Sequence, residues 1–147
     1  MSEQEAINTE FQIKAIEILN SSLIEPKKKL PKVVEFQFDI SLEHRISLEK
    51  DTIIVICIVS IFNEIKDQMY GQLCASCIYH VVNLNEIAKK TPTENQLPTQ
   101  FLMALNSISV STMRGLMFSS YKGTFLHNAI LPIIDPKTFQ MDKSVSK

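Results

Sequence analysis

Glycine is scarce in this chain of 147 residues: only Gly71, Gly115 and Gly123 occur. None stands near another, so the glycine loops that cradle phosphates are missing. Charge of one sign is lacking too. The net charge is -1, which gives no electrostatic footprint for nucleic acid. The one basic cluster, Lys27, Lys28, Lys29 and Lys32, reads as a solvated loop. No apolar run is long. IIVICIVSI at 53–61 contains a serine and falls well short of the ~20 residues of a spanning helix, so no direct membrane insertion is expected. The first ten residues are polar and carry Glu3, Glu5 and Glu10, the wrong charge for a leader. Cysteines number three. An odd count fits a reducing compartment better than a disulfide scaffold, and a cytoplasmic location is expected.

What is present is a chain of ordinary globular composition, 45% hydrophobic and 21% charged, with no internal repeat. A single domain is expected over 1–147, with a sheet over 11–87, a long helix over 97–121, and a connector with a short tail over 122–147. FQIKAIEILNSSLI at 11–24 starts with Phe11 and Ile13 alternating against Gln12 and Lys14, then breaks step at Ala15 and Ile16. It predicts a strand with an irregularity. EPKKKLPK at 25–32 holds two prolines and reads as a loop or crossover. Over 33–49, Val34, Phe36, Phe38, Ile40, Leu42, Ile46 and Leu48 fall on even positions, and Glu35, Gln37, Asp39, Ser41, Glu43, Arg45 and Ser47 on odd ones. Period two of this length predicts a half-buried strand. TIIVICIVSIFN at 52–63 is β-branched and apolar on both faces, as a central strand is. A fourth strand is expected over 69–87. Short links between successive strands favour an antiparallel meander.

The helix is expected to open on Pro98 and to stop near Gly123. Leu97, Phe101, Leu105, Ile108, Thr112 and Leu116 share one face, and Leu102, Met103, Val110, Met113, Met117 and Phe118 cover much of the rest. A helix apolar all round must be covered all round. One sheet covers only one side, so Leu102, Val110, Met113, Met117 and Phe118 are expected at an interface with another copy of the chain.

Chemistry is thin. Cys74 and Cys77, with His80 close by and Cys57 in the neighbouring strand, look at first like a metal or redox motif. In a strand, however, residues three apart point to opposite faces. They then read as small apolar strand residues. His44, His80 and His127 are far apart, and no nucleophile turn supports a catalytic set. An enzyme using Cys57 or Cys77 is the weakest reading. No catalytic residue, metal or cofactor is expected.

Two stretches resemble the SecB protein-export chaperone family. FQIKAIEILNSSLIEP at 11–26 is similar to that family's first strand and following loop. KGTFLHNAILPIID at 122–135 is similar to its segment after the long helix, with Gly123, Thr124, Phe125 and Pro132 in matching places. Leu126 stands where the family often has proline. After Asp135 the sequence given reads PKTFQMDKSVSK, so the family's second helix is expected to be short or missing here and its acidic tail is not expected. Glu35, Asp39 and Glu43 lie on the wet parity of the second strand, but they are not mapped onto the family's docking residues.

The resemblance implies an α+β fold: a four-stranded antiparallel sheet with a long C-terminal helix packed on one face. It implies a homotetramer built as a dimer of dimers, and an ATP-independent holdase that binds unfolded or preprotein clients in apolar grooves. Client-binding residues carried over from it are Leu23, Ile24, Leu30 and Val33 of the crossover, and Phe125, Leu126, Ile130, Leu131, Ile133 and Ile134 of a connector held extended over 124–134. The implied partners are clients for export with the SecA motor, or a single dedicated partner such as an antitoxin.

Overall fold

Alternation organises the sheet as expected. In β2 (Gln37–Ser47) Leu42 and His44 are buried while Gln37, Asp39, Ser41 and Arg45 are exposed. In β3 (Thr52–Phe62) the odd positions Ile53, Val55, Cys57, Val59 and Ile61 are sealed, and Ile54, Ile56 and Ile58 on the other face are half-buried. β4 is Met69–Val81 and β1 is Phe11–Leu23. In the computed structural model of the chain, residues 10–89, 97–135 and 145–146 are described.

Only three strands form a meander. The order is β1-β4-β3-β2-β5, so β1 lies antiparallel beside β4 at one edge. The chain then crosses over to β2 at the far side through residues 24–36. The prolines at 26 and 31 fit that path, since an X-Pro link cannot close a tight hairpin ladder. At the other edge β5 (Val145–Ser146) adds in parallel to β2 beside His44 and Arg45.

Two irregularities break β1, between Ile13 and Ala15 and between Ile18 and Asn20. Each inserts one residue, and an inserted residue switches the parity of a strand. The result is that Ile13, Ile16, Ile18 and Leu23 stand opposite Tyr79, Cys77, Ala75 and Gly71, all on one face of β4. Without the bulges Ala15 and Glu17 would occupy that face.

The strand expected over 69–87 is shorter. It stops at Val81, Asn83 takes a left-handed φ of 62° and the chain turns into α1 (Leu84–Lys89). Asparagine tolerates that conformation, and Leu84, Ile87 and Ala88 carry the chain under cover. The second strand is also shorter than the alternation, starting at Gln37, so that Val34 and Phe36 belong to the crossover.

Helix α2 (Thr99–Ser120) lies on one face of the sheet over β3 and β4. Pro98 is its N-cap and not its first residue. By length and composition this helix is long and apolar enough to cross a membrane, but one side of it is packed on the sheet. The buried side is Phe101, Leu105, Asn106, Ser109, Val110, Met113 and Met117. That corrects the expected division of faces. Val110, Met113 and Met117 are 3%, 1% and 1% exposed and belong to the subunit's own core, not to an outer interface. Polar partners explain the rotation. His44 Nε2 meets Asn106 Oδ1 at 2.6 Å, and the Tyr79 hydroxyl meets Ser109 Oγ at 2.8 Å. These bonds let Asn106 and Ser109 enter the interior, as buried polar groups must be paired.

Candidate functional site

The connector after α2 does not begin extended. Residues 121–128 make successive turns, and only 129–135 leave regular structure. Tyr121 caps the helix through its N–H to Met117 O at 3.0 Å. Gly123 takes φ 82°, a conformation glycine adopts without steric cost. The Thr124 hydroxyl donates to Tyr121 O at 2.7 Å and accepts from Leu126 N–H at 3.1 Å. The Lys-Gly-Thr triplet is therefore a turn device that bends the chain back toward the sheet.

Leu126 is then driven inward. It is 1% exposed and lies against Gly71 of β4, where an added Cβ would come within 2.9 Å of its Cδ1. The Tyr121 hydroxyl donates to Ser22 O at 3.0 Å, tying the same corner to β1. Next to it Phe125 meets Tyr70 edge-on at 5.4 Å, and Tyr70 meets Phe36 at 6.2 Å. The Ile24 N–H donates to Tyr70 O at 2.8 Å. Crossover and connector, separated by about a hundred positions in sequence, thus converge on the start of β4.

Arg114 holds the later part of the connector. Its Nε donates to Leu131 O at 2.6 Å and its Nη2 to Pro132 O at 2.7 Å. Leu131 is buried at 1%, Ile130 is exposed, and Ile133 is 88% exposed.

The ten residues carried over as client-binding now divide. Leu23, Ile24, Val33, Ile130 and Ile133 offer apolar surface to solvent, with Val33 82% exposed. Leu30, Phe125 and Ile134 are partly buried against the core. Leu126 and Leu131 are closed into the core and present no surface, which corrects their place in a groove wall. Position in sequence does not say which side of an irregular segment points in. Tyr70 and Phe36, which join the two segments, carry no site signal in the alternation of their strands. Their aromatic type, at the end of the crossover and at the start of β4, is the signal the sequence offers.

Around the expected interface, Phe118 is exposed and stacks its ring 5.4 Å from that of His127, and Leu102 is half-buried. The outward line of α2 is made of Ala104, Ser111, Gly115, Phe118 and Ser119. A second apolar surface lies on β1, where Ile13, Ile16, Ile18 and Leu23 are 40–50% exposed, since α2 packs mainly over β3 and β4 and meets β1 through the edge-on pair Phe101 and Phe11 at 5.4 Å.

The cysteines sit as strand geometry requires. Cys57 and Cys77 are buried on the α2 side, and Cys74 faces the other way and is half-buried. Burial pushes the Cys57 thiol up to about 12, and burial also raises Cys74 and Cys77. Such thiols are poor nucleophiles and poor ligands. Among the described residues no three His, Cys, Asp or Glu side chains gather as a metal would need. What the site offers is therefore apolar area on irregular backbone.

No protein-family profile matches the sequence, and no curated protein does. Among solved structures the chain is similar to the Mycobacterium tuberculosis Rv1957 SecB-like chaperone, in complex with a ChAD peptide from the Rv1956 HigA1 antitoxin. The TM-score is 0.61 at 12% identity, covering 91% of this chain and 94% of that one. The fold is SecB-like, an antiparallel four-stranded sheet with a C-terminal helix.

Proposed function

We propose that this protein is a SecB-like chaperone or adaptor that binds non-native or extended polypeptide through its crossover and connector. The observation that carries the proposal is the pair Val33 and Ile133. They are large apolar side chains 82% and 88% exposed, on two segments that meet around Tyr70. Each aliphatic side chain buried by a client contributes about 1.5–3 kcal/mol. Several such sites on one oligomer add by avidity. Non-directional contacts suit many client sequences, and nothing in the mechanism calls for nucleotide or covalent chemistry. Release then depends on hand-over to a partner.

The broad holdase, working in the cytoplasm and serving export through the SecA motor, is one form of the proposal. A dedicated adaptor for one partner, such as an antitoxin, is the other, and the antitoxin peptide bound by the similar chaperone favours it. Assembly as a homotetramer belongs to the same proposal. β1, a long edge strand with exposed isoleucines, calls for cover by a second copy. The outward line of α2, with small residues that allow close approach, with Phe118 among them and with half-buried Leu102 beside it, would serve the second interface.

Size-exclusion chromatography with light scattering tests this, first alone and then with a reduced, unfolded client or an extended antitoxin segment. Uptake of the varied client into a soluble tetrameric complex supports the holdase. Uptake of the single segment alone supports the adaptor. A monomer that takes up neither contradicts both.

A further inference from the structure

We infer that Arg114 is a positioning residue for the client surface: its guanidinium latches the strap 129–134 so that Leu131 is held inward while Ile130 and Ile133 are held outward. This rests on the client-binding role proposed for that strap.

Arg114 is the only charged residue between Leu97 and Tyr121. In an otherwise uncharged helix its position calls for a reason, and the geometry supplies one. Two donors of the planar fork reach two successive carbonyls, Leu131 O at 2.6 Å and Pro132 O at 2.7 Å. The strap belongs to no helix or strand, so it has no ladder to satisfy those oxygens or to hold its register. A guanidinium carries five donors in fixed directions and no acceptor, which suits it to pin two neighbouring carbonyls. Because the bonds go to main chain, they set the strap's register whatever its side chains are. Register is what matters here. A slip of one residue would put Ile130 in the buried place of Leu131 and Leu131 in the exposed place of Pro132. Ile130, 54% exposed, and Leu131, 1% exposed, show the sorting that the latch maintains. A surface held in its binding conformation in advance loses less ordering entropy when a client docks. Arg114 would then govern affinity without touching the client.

The test compares the full-length protein with Arg114→Gln, Arg114→Lys and Ile133→Asp. Two readouts are taken on each: amide exchange of residues 126–134, and affinity for reduced, carboxymethylated lactalbumin. With Arg114→Gln, exchange in the strap should rise and affinity fall, each by about ten-fold, while exchange in β3 and β4 stays as in the parent. Arg114→Lys should recover part of both, since an ammonium supplies donors without the planar fork. Unchanged strap exchange in Arg114→Gln overturns the latch. Faster exchange with unchanged affinity, while Ile133→Asp loses binding, overturns the positioning role. Equal binding by the parent, Arg114→Gln and Ile133→Asp removes the client surface itself, and the positioning role falls with it. That last pattern differs from the others in its Ile133→Asp result.

Discussion

Leu126 seats its Cδ1 so close to Gly71 that any Cβ at position 71 would lie 2.9 Å from it. The same Cβ would stand 3.0 Å from Ser22 O and 3.1 Å from the Tyr121 hydroxyl. Connector, helix end, β1 and β4 are thus locked at one point, where Ser22 O is main chain and the Tyr121 hydroxyl is held by its bond to that oxygen. Gly71→Ala is expected to destabilise the fold by about 1–3 kcal/mol through overpacking. Thermal unfolding measures it, and an unchanged melting temperature would contradict the close packing.

Leu131 and Ile133 are two residues apart and have opposite expected effects. Leu131→Ala opens a cavity in the core and should cost about 2–5 kcal/mol, seen as a lower urea midpoint. Ile133→Asp changes a side chain 88% exposed and should leave that midpoint within about 0.5 kcal/mol of the parent, while client protection is lost.

His44 makes stability depend on pH. Burial lowers its pKa from the ordinary 6.5, against the opposing influence of the bond to Asn106. With Asn106 Oδ1 as acceptor, Nε2 carries the proton and Nδ1 is left as a buried lone pair without a partner. Protonation would place an unpaired cationic N–H there. The folded pKa lies below the unfolded one, so the unfolded state takes up the proton first. This contribution is complete above about pH 6.5 and is lost as pH falls below it toward the folded-state value. Urea midpoints taken between neutral and mildly acid pH should fall. In a His44→Gln variant this part of the slope should vanish.

Thiol labelling separates the cysteines. Cys57, raised to about 12 by burial, should resist alkylation in the native protein, and half-buried Cys74 should react before it. All three should label at once on unfolding. Rapid native labelling of Cys57 would contradict the packing of α2 on β3.

Much of this was legible in the sequence because period two is a strong signal. The even-numbered run Phe38, Ile40, Leu42 gave β2 its faces, and the β-branched 52–63 gave a central strand. The crossover was readable from its prolines. The position of β1 beside β4 was not, since pairing between elements far apart in sequence leaves no local trace. Nor was the burial of Asn106 and Ser109, which depends on His44 and Tyr79 arriving from the sheet. The face of α2 was misjudged for that reason: apolar residues lay on every side, and polar partners decided the rotation. In the connector, which has no period, Leu126 and Leu131 could not be told from Ile130 and Ile133.

The central claim is that exposed apolar residues of the crossover and connector bind polypeptide. Its most direct measurement is a titration of reduced, carboxymethylated lactalbumin against the parent and a Val33→Asp/Ile133→Asp double variant, with oligomeric state and melting temperature checked on both. The parent should bind and the double variant should not, with assembly and stability alike. Equal binding by the two proteins would contradict it.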